Sequence, residues 1–206
     1  MLKIKVDFDT LLKEGIKNSK DDFIICLITG YQGSGKSYYA IYNVERSFTD
    51  RTIITNIKSY RSGGRGKDFV GGNHSIEYFT KISELYNNHD IGRIFIIDEF
   101  SKKYTKDSKI DKDLYSWLQQ SRKHKRYVFI ITQEYTQVPT WIRGIATLVY
   151  STYKVPLTPF MYTILGKPYL DTDTCEWALN ELSIQIYKRN KVYGSLYDTY
   201  ELINEL

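Results

Sequence analysis

Eight residues, Gly30-Tyr31-Gln32-Gly33-Ser34-Gly35-Lys36-Ser37, fit the pattern G-x-x-x-x-G-K-[ST]. The glycines let the main chain turn tightly enough to aim successive N–H groups inward, and a helix start adds its partial positive charge. Such a loop cradles phosphates from Gly30 to Ser37, with Lys36 reaching the β- and γ-phosphates and the Ser37 hydroxyl ligating Mg²⁺. The cofactors this pattern predicts are ATP and Mg²⁺. A second chemical pair is Asp98-Glu99, two carboxylates directly after an apolar run. Asp98 would accept from Mg²⁺-bound water or from Ser37, which makes Ser37 and Asp98 the metal-binding residues. Glu99 would orient the attacking water and take its proton. An Asp-Glu pair in this place also serves as an ordinary helix N-cap. The phosphate loop upstream favours the chemical reading. The third piece is Gln133, a polar amide at the end of another apolar run, placed to touch the γ-phosphate and the water.

These residues need strands that end together. Phe23 to Thr29 is a nearly continuous apolar run, as is Arg93 to Ile97, and Tyr127 to Gln133 is a third. Runs of this kind suit strands covered on both faces of a parallel sheet. After the loop, Ala40, Ile41 and Val44 share one helical face. Arg51 to Ile57 reads as a further strand, and Ser75 to Asn88 as a helix carried by Ile76, Phe79, Ile82 and Leu85 or Tyr86. A helix through Ile110, Leu114, Trp117 and Leu118 follows, ending in the basic run Arg122 to Arg126, a composition usual for a solvated helix end. Thr147 to Val155 reads as the final core strand and Ser183 to Lys188 as a peripheral one. Leu2 to Phe8 alternates like a strand, Asp9 or Thr10 caps a short helix, and Leu196 to Leu206 reads as a terminal helix or tail. The pattern is an α/β fold with a mainly parallel sheet flanked by helices.

The 206 residues suffice for one domain, with a core about 23–155 and peripheral additions at 1–22 and 156–206. Hydrophobic residues make up 42% and charged residues 26%, which excludes a disordered chain. The net charge of +5 fits a nucleic-acid partner without requiring one. Cys26 and Cys175 offer no metal spacing, and Cys26 reads as a small apolar filler. Lys3, Lys5 and Asp7 break any signal peptide, and Lys154, Pro156 and Pro159 interrupt the greasiest region, Thr147 to Leu165. No transmembrane segment is therefore expected, and the expected location is the host cytoplasm. Ser59 to Asn73 is rich in glycine and basic residues. It reads either as a solvated linker or as a loop that neutralises nucleic-acid phosphates.

Taken together, Gly30 to Ser37, Arg93 to Glu99 and Ser121 through Gln133 resemble the FtsK–HerA superfamily of DNA-pumping ATPases. Within it the chain resembles the small viral branch: genome-packaging ATPases of tailless icosahedral viruses, and Zot-like assembly ATPases of filamentous phages. The resemblance covers about Phe23 to Val149. It implies a RecA-like core with the Gln133 strand between the strands of the phosphate loop and of Asp98. It also implies a homo-oligomeric ring, a hexamer, with double-stranded DNA in the pore, and capsid or vertex proteins as further partners. Arg122 is then the candidate arginine finger, inserted into a neighbour's nucleotide, with Arg143 as the runner-up. Candidate DNA grips are Arg61, Arg65, Lys67 and the lysines from Lys102 to Lys112. The expected function is ATP-driven movement of viral DNA into a capsid, at the packaging vertex. Alternatives are a Zot-like assembly and export ATPase, for which a membrane segment would be usual, a P-loop small-molecule kinase, and a non-catalytic nucleotide switch.

Overall fold

The computed structural model describes residues 23–60, 73–157, 160–171 and 176–188. Eight strands form one sheet in the order β3-β2-β4-β5-β1-β6-β7-β8. Strands β1 (Ile24–Thr29), β4 (Ile94–Ile97) and β5 (Tyr127–Ile131) are buried at every position. They are the three continuous apolar runs, and β5 lies between β4 and β1, parallel to both. Strands β2 (Ile53–Thr55), β3 (Ile76–Tyr78) and β6 (Leu148–Lys154) continue the parallel part. The long strands β7 (Phe160–Asp171) and β8 (Glu176–Lys188) close it antiparallel.

Helix α1 (Lys36–Ser47) covers one face, where Tyr38, Tyr39, Ile41 and Val44 meet Cys26, Ile28, Ile96, Phe129 and Ile131. Helix α2 (Lys112–Gln119) covers the other, with Leu114, Trp117 and Leu118 against Leu27, Phe95, Ile97, Val128 and Ile130. The alternation along each strand divides neighbouring residues between the two cores. Because β1, β2, β4 and β5 run parallel, Thr29, Thr55, Ile97 and Ile131 all end at one edge. Whatever follows those residues is gathered there, at the carboxyl edge.

Several expectations need correction. Ser75 to Asn88 is not one helix but strand β3 followed by a 3-10 turn, Ile82–Leu85. The free side of β2 offers ladder partners: Ile53 N–H donates to the Ser75 carbonyl and Phe79 N–H to the Thr55 carbonyl. Phe79, Ile82 and Leu85 still bury together, so the apolar spacing serves the core without a helix. Helix α2 starts later than expected, capped by Asp111, whose side chain accepts from Leu114 N–H, and Ile110 is left 55% exposed. Strand β6 is not the last core strand, since the Thr147 to Leu165 region is the β6–β7 hairpin with Pro156 in its turn. The basic run is not wholly solvated either, as Arg126 is completely buried. Leu2 to Phe8, the helix after Asp9, residues 61–72, Cys175 and Leu196 to Leu206 lie outside the described residues. Among the described residues, no helix is long and apolar enough to cross a membrane.

Candidate functional site

The phosphate-loop sequence leaves β1 at Thr29 and enters α1 at Lys36. Gly35 is the N-cap in a left-handed conformation at φ 94°, with no side-chain cap and no acidic residue in the first turn. The first N–H groups of α1 are therefore uncapped by side chains and available to an anion. At Gly30 a Cβ would lie 2.6 Å from both the carbonyl and the hydroxyl oxygen of Thr152, so only glycine fits. The Lys36 ammonium donates to the carbonyls of Gly30 (2.8 Å) and Tyr31 (3.1 Å). Burial lowers its pKa, while Asp98 and Glu99 act in the opposite direction, so both carboxylates lie within its field.

Ser37 Oγ donates to Asp98 Oδ2 at 2.6 Å. A hydroxyl and a carboxylate side by side are the hard oxygen donors that Mg²⁺ takes, and the pair fits that ion. Burial pushes the Asp98 carboxyl up, against hydrogen bonds from Ser37 and from Glu99 N–H. Asp98 is held by a residue not singled out from the sequence. Asn56 donates from Nδ2 to the Asp98 carbonyl at 2.9 Å and accepts from Asp98 N–H at 2.8 Å. This side chain continues the β2–β4 ladder by one step beyond Thr55. The chain then turns sharply, with Glu99 at φ 56°. A left-handed non-glycine residue stores strain and persists only where its surroundings fix it. The Glu99 side chain is 38% exposed, 3.8 Å from Lys102 Nζ.

Gln133 meets the loop through its main chain: Gly30 N–H donates to the Gln133 carbonyl at 2.8 Å, and the side chain is exposed. Lys36, Ser37, Asp98, Glu99 and Gln133 thus gather at the carboxyl edge. Arg122 does not join them. It lies exposed before β5 begins, at the amino edge, with the five residues of β5 between it and the site. At about 3.3 Å per residue, that strand alone is roughly 17 Å long. Arg143 is 7% exposed, with its guanidinium 5.5 Å from the Tyr135 ring centre. Lys102, Lys103, Lys106, Lys109 and Lys112 are exposed on the segment after Glu99. Besides Asn56, the loop's neighbours Thr152 and Met161 were not expected from the sequence. For Asn56 a signal existed, a short amide directly after the apolar strand Ile53–Thr55. For the other two there was none, because β6–β7 pairing decides what they touch.

The family model for zonular occludens toxin (Zot) matches residues 24–158. Among solved structures, the N-terminal domain of zonular occludens toxin from Neisseria meningitidis is 20% identical with a TM-score of 0.58, over 85% of this chain and 98% of that one. A further ATPase domain is 11% identical with a TM-score of 0.54, over 93% of this chain and 90% of that one. The genome packaging NTPase B204 of Sulfolobus turreted icosahedral virus 2, in complex with ATP-gammaS, is 13% identical with a TM-score of 0.50, over 78% of this chain and 97% of that one. No curated protein matches the sequence. At such identities the structures speak for the fold, and that fold is the RecA-like P-loop NTPase core expected from the sequence. The family match runs through every strand from β1 to β6, well over half the chain, and the chain belongs to the Zot family of P-loop ATPases.

Proposed function

We propose that the chain binds ATP with Mg²⁺, hydrolyses it, and uses the cycle to move viral double-stranded DNA through a homo-oligomeric ring, a hexamer. The observation that carries this reading is the 2.6 Å contact between Ser37 Oγ and Asp98 Oδ2, with the Lys36 ammonium in the field of both carboxylates. A phosphate loop serving only as a glycine turn needs neither. In the proposed cycle Lys36 holds the β- and γ-phosphates, Ser37 and Asp98 hold the metal, Glu99 orients the lytic water, and Gln133 touches the γ-phosphate. Arg122, placed at the opposite edge from its own loop, serves a neighbour's nucleotide. Lys102 to Lys112, together with Arg61, Arg65 and Lys67, contact the DNA backbone without reading bases. A kinase would need an acceptor site, and it gains nothing from Glu99 beside water.

Two destinations for the DNA stay in view, a preformed capsid and the assembly and export of a filamentous particle. The family match over residues 24–158 favours the second. The likeness to a packaging NTPase keeps the first, with capsid or vertex proteins as partners. The test is phosphate release from ATP, with and without DNA, across protein concentration. Activity that rises with concentration and with added double-stranded DNA supports the motor. A response to single-stranded DNA alone would favour export, and no phosphate release at any concentration would sink the reading.

A further inference from the structure

We infer that Thr152, on β6, is a positioning residue for the phosphate loop, holding it open from behind through Ser34. The inference rests on the ATP-binding reading above. Thr152 is fully buried, and its hydroxyl has two partners. It donates to the Thr29 carbonyl at 3.0 Å and lies 2.8 Å from Ser34 Oγ. A hydroxyl has one proton. With that proton on Thr29, the Ser34 hydroxyl must be the donor to Thr152. Ser34 N–H is also engaged, donating to the Tyr31 carbonyl at 3.0 Å. Both donors of Ser34 are thus spent inside the protein, and Ser34 is buried while Tyr31, Gln32 and Gly33 are exposed. Ser34 acts as a strut rather than a phosphate ligand.

The same hairpin closes on the loop at both ends. Thr152 crowds Gly30, as described, and a Cβ on Gly35 would sit 1.9 Å from Met161 Cε on β7. Register places Lys154 opposite Met161, so both contacts come from one antiparallel pair. The two glycines bounding the loop are therefore seated against β6 and β7. A loop that holds its phosphate-binding shape beforehand loses less freedom when the nucleotide arrives, which appears as affinity rather than turnover.

The test compares Thr152→Val, which keeps shape but removes the hydroxyl, with Thr152→Ser, which keeps the hydroxyl. The expected result is a roughly tenfold weaker Kd for a non-hydrolysable ATP analogue in Thr152→Val, with kcat at saturating ATP within about threefold of wild type. Thr152→Ser should restore Kd to within about twofold. Ser34→Ala, which removes the other end of the same bond, should show the same weakening and keep the inference testable if Thr152→Val does not fold. Combined with Thr152→Val it should add little. Unchanged Kd in folded Thr152→Val, or loss of kcat at unchanged Kd, overturns the inference while leaving the ATP reading intact. A wild-type chain that binds no analogue overturns both.

Discussion

The two edges of the sheet are built on opposite principles. At the carboxyl edge, several buried or half-buried polar side chains answer one another: Ser37 with Asp98, Asn56 with the Asp98 main chain, Ser34 with Thr152. At the amino edge the basic residues Arg122, Lys123 and Lys125 are exposed, and Arg126 turns in, donating to the carbonyls of Trp117 (2.8 Å) and Asn88 (2.5 Å). The buried arginine anchors the segment so that the others stand out. One edge has the loop, the Ser37–Asp98 pair and Glu99. The other has an arginine and no phosphate loop. A ring in which the amino edge of one copy meets the carboxyl edge of the next would complete each site with its neighbour.

The sharpest way to break that pairing is Arg122→Ala. If the edges meet, hydrolysis falls by about a thousandfold, the scale of a finger supplied in trans. Mixing with Lys36→Ala subunits, which keep their arginine, restores part of the rate. Full activity of Arg122→Ala alone would separate the edges. Glu99→Gln tests the carboxyl edge by itself. On the proposed role of Glu99 in orienting and deprotonating water, phosphate release should drop about a hundredfold or more while ATP still binds. Equal loss of binding and turnover would instead make Glu99 part of the cradle.

A smaller effect is expected of Asn56→Ala, about tenfold in kcat with little change in the Kd for ATP, since Asp98 keeps its carboxylate but loses the bonds that fix its peptide. A pure stability loss, with normal kcat in the folded fraction, would reduce Asn56 to part of the fold.

The same contrast explains what can be read from the residues alone. Strands β1, β4 and β5 are legible because burial on both faces demands unbroken apolar runs, and the loop is legible because its chemistry is local in sequence. β3 reads as part of a helix because its ladder is supplied by the free side of β2, a distant segment. Asn56 and Thr152 escape because their partners lie 42 and 123 residues away. The family resemblance implies that the Gln133 strand lies between the strands of the phosphate loop and of Asp98, as it does. It does not foretell that the basic run is anchored by its own last arginine.

The smallest effect concerns how α2 presents that run. Asp111 caps α2 through Leu114 N–H at 3.1 Å and accepts from Tyr104 (2.5 Å) and Tyr86 (2.9 Å). Burial alone would push its carboxyl up. The bonds from Tyr104, Leu114 N–H and Tyr86 outweigh burial and hold it below the usual carboxylate range. A carboxyl depressed by folding adds stability that is fully present above its unfolded pKa and is lost as pH falls through the folded one. Asp111→Asn keeps an oxygen for the cap but puts an amide donor where Tyr104 and Tyr86 donate, and should therefore cost about 1 kcal/mol at neutral pH, the usual net worth of a hydrogen bond. The gap from wild type should narrow as denaturation is followed into acid below the carboxylate range. ATP binding should not change, since Asp111 touches none of the loop. A variant that lost ATP binding would show that Asp111 acts on the site through Tyr104, which stacks on Phe100 beside Glu99.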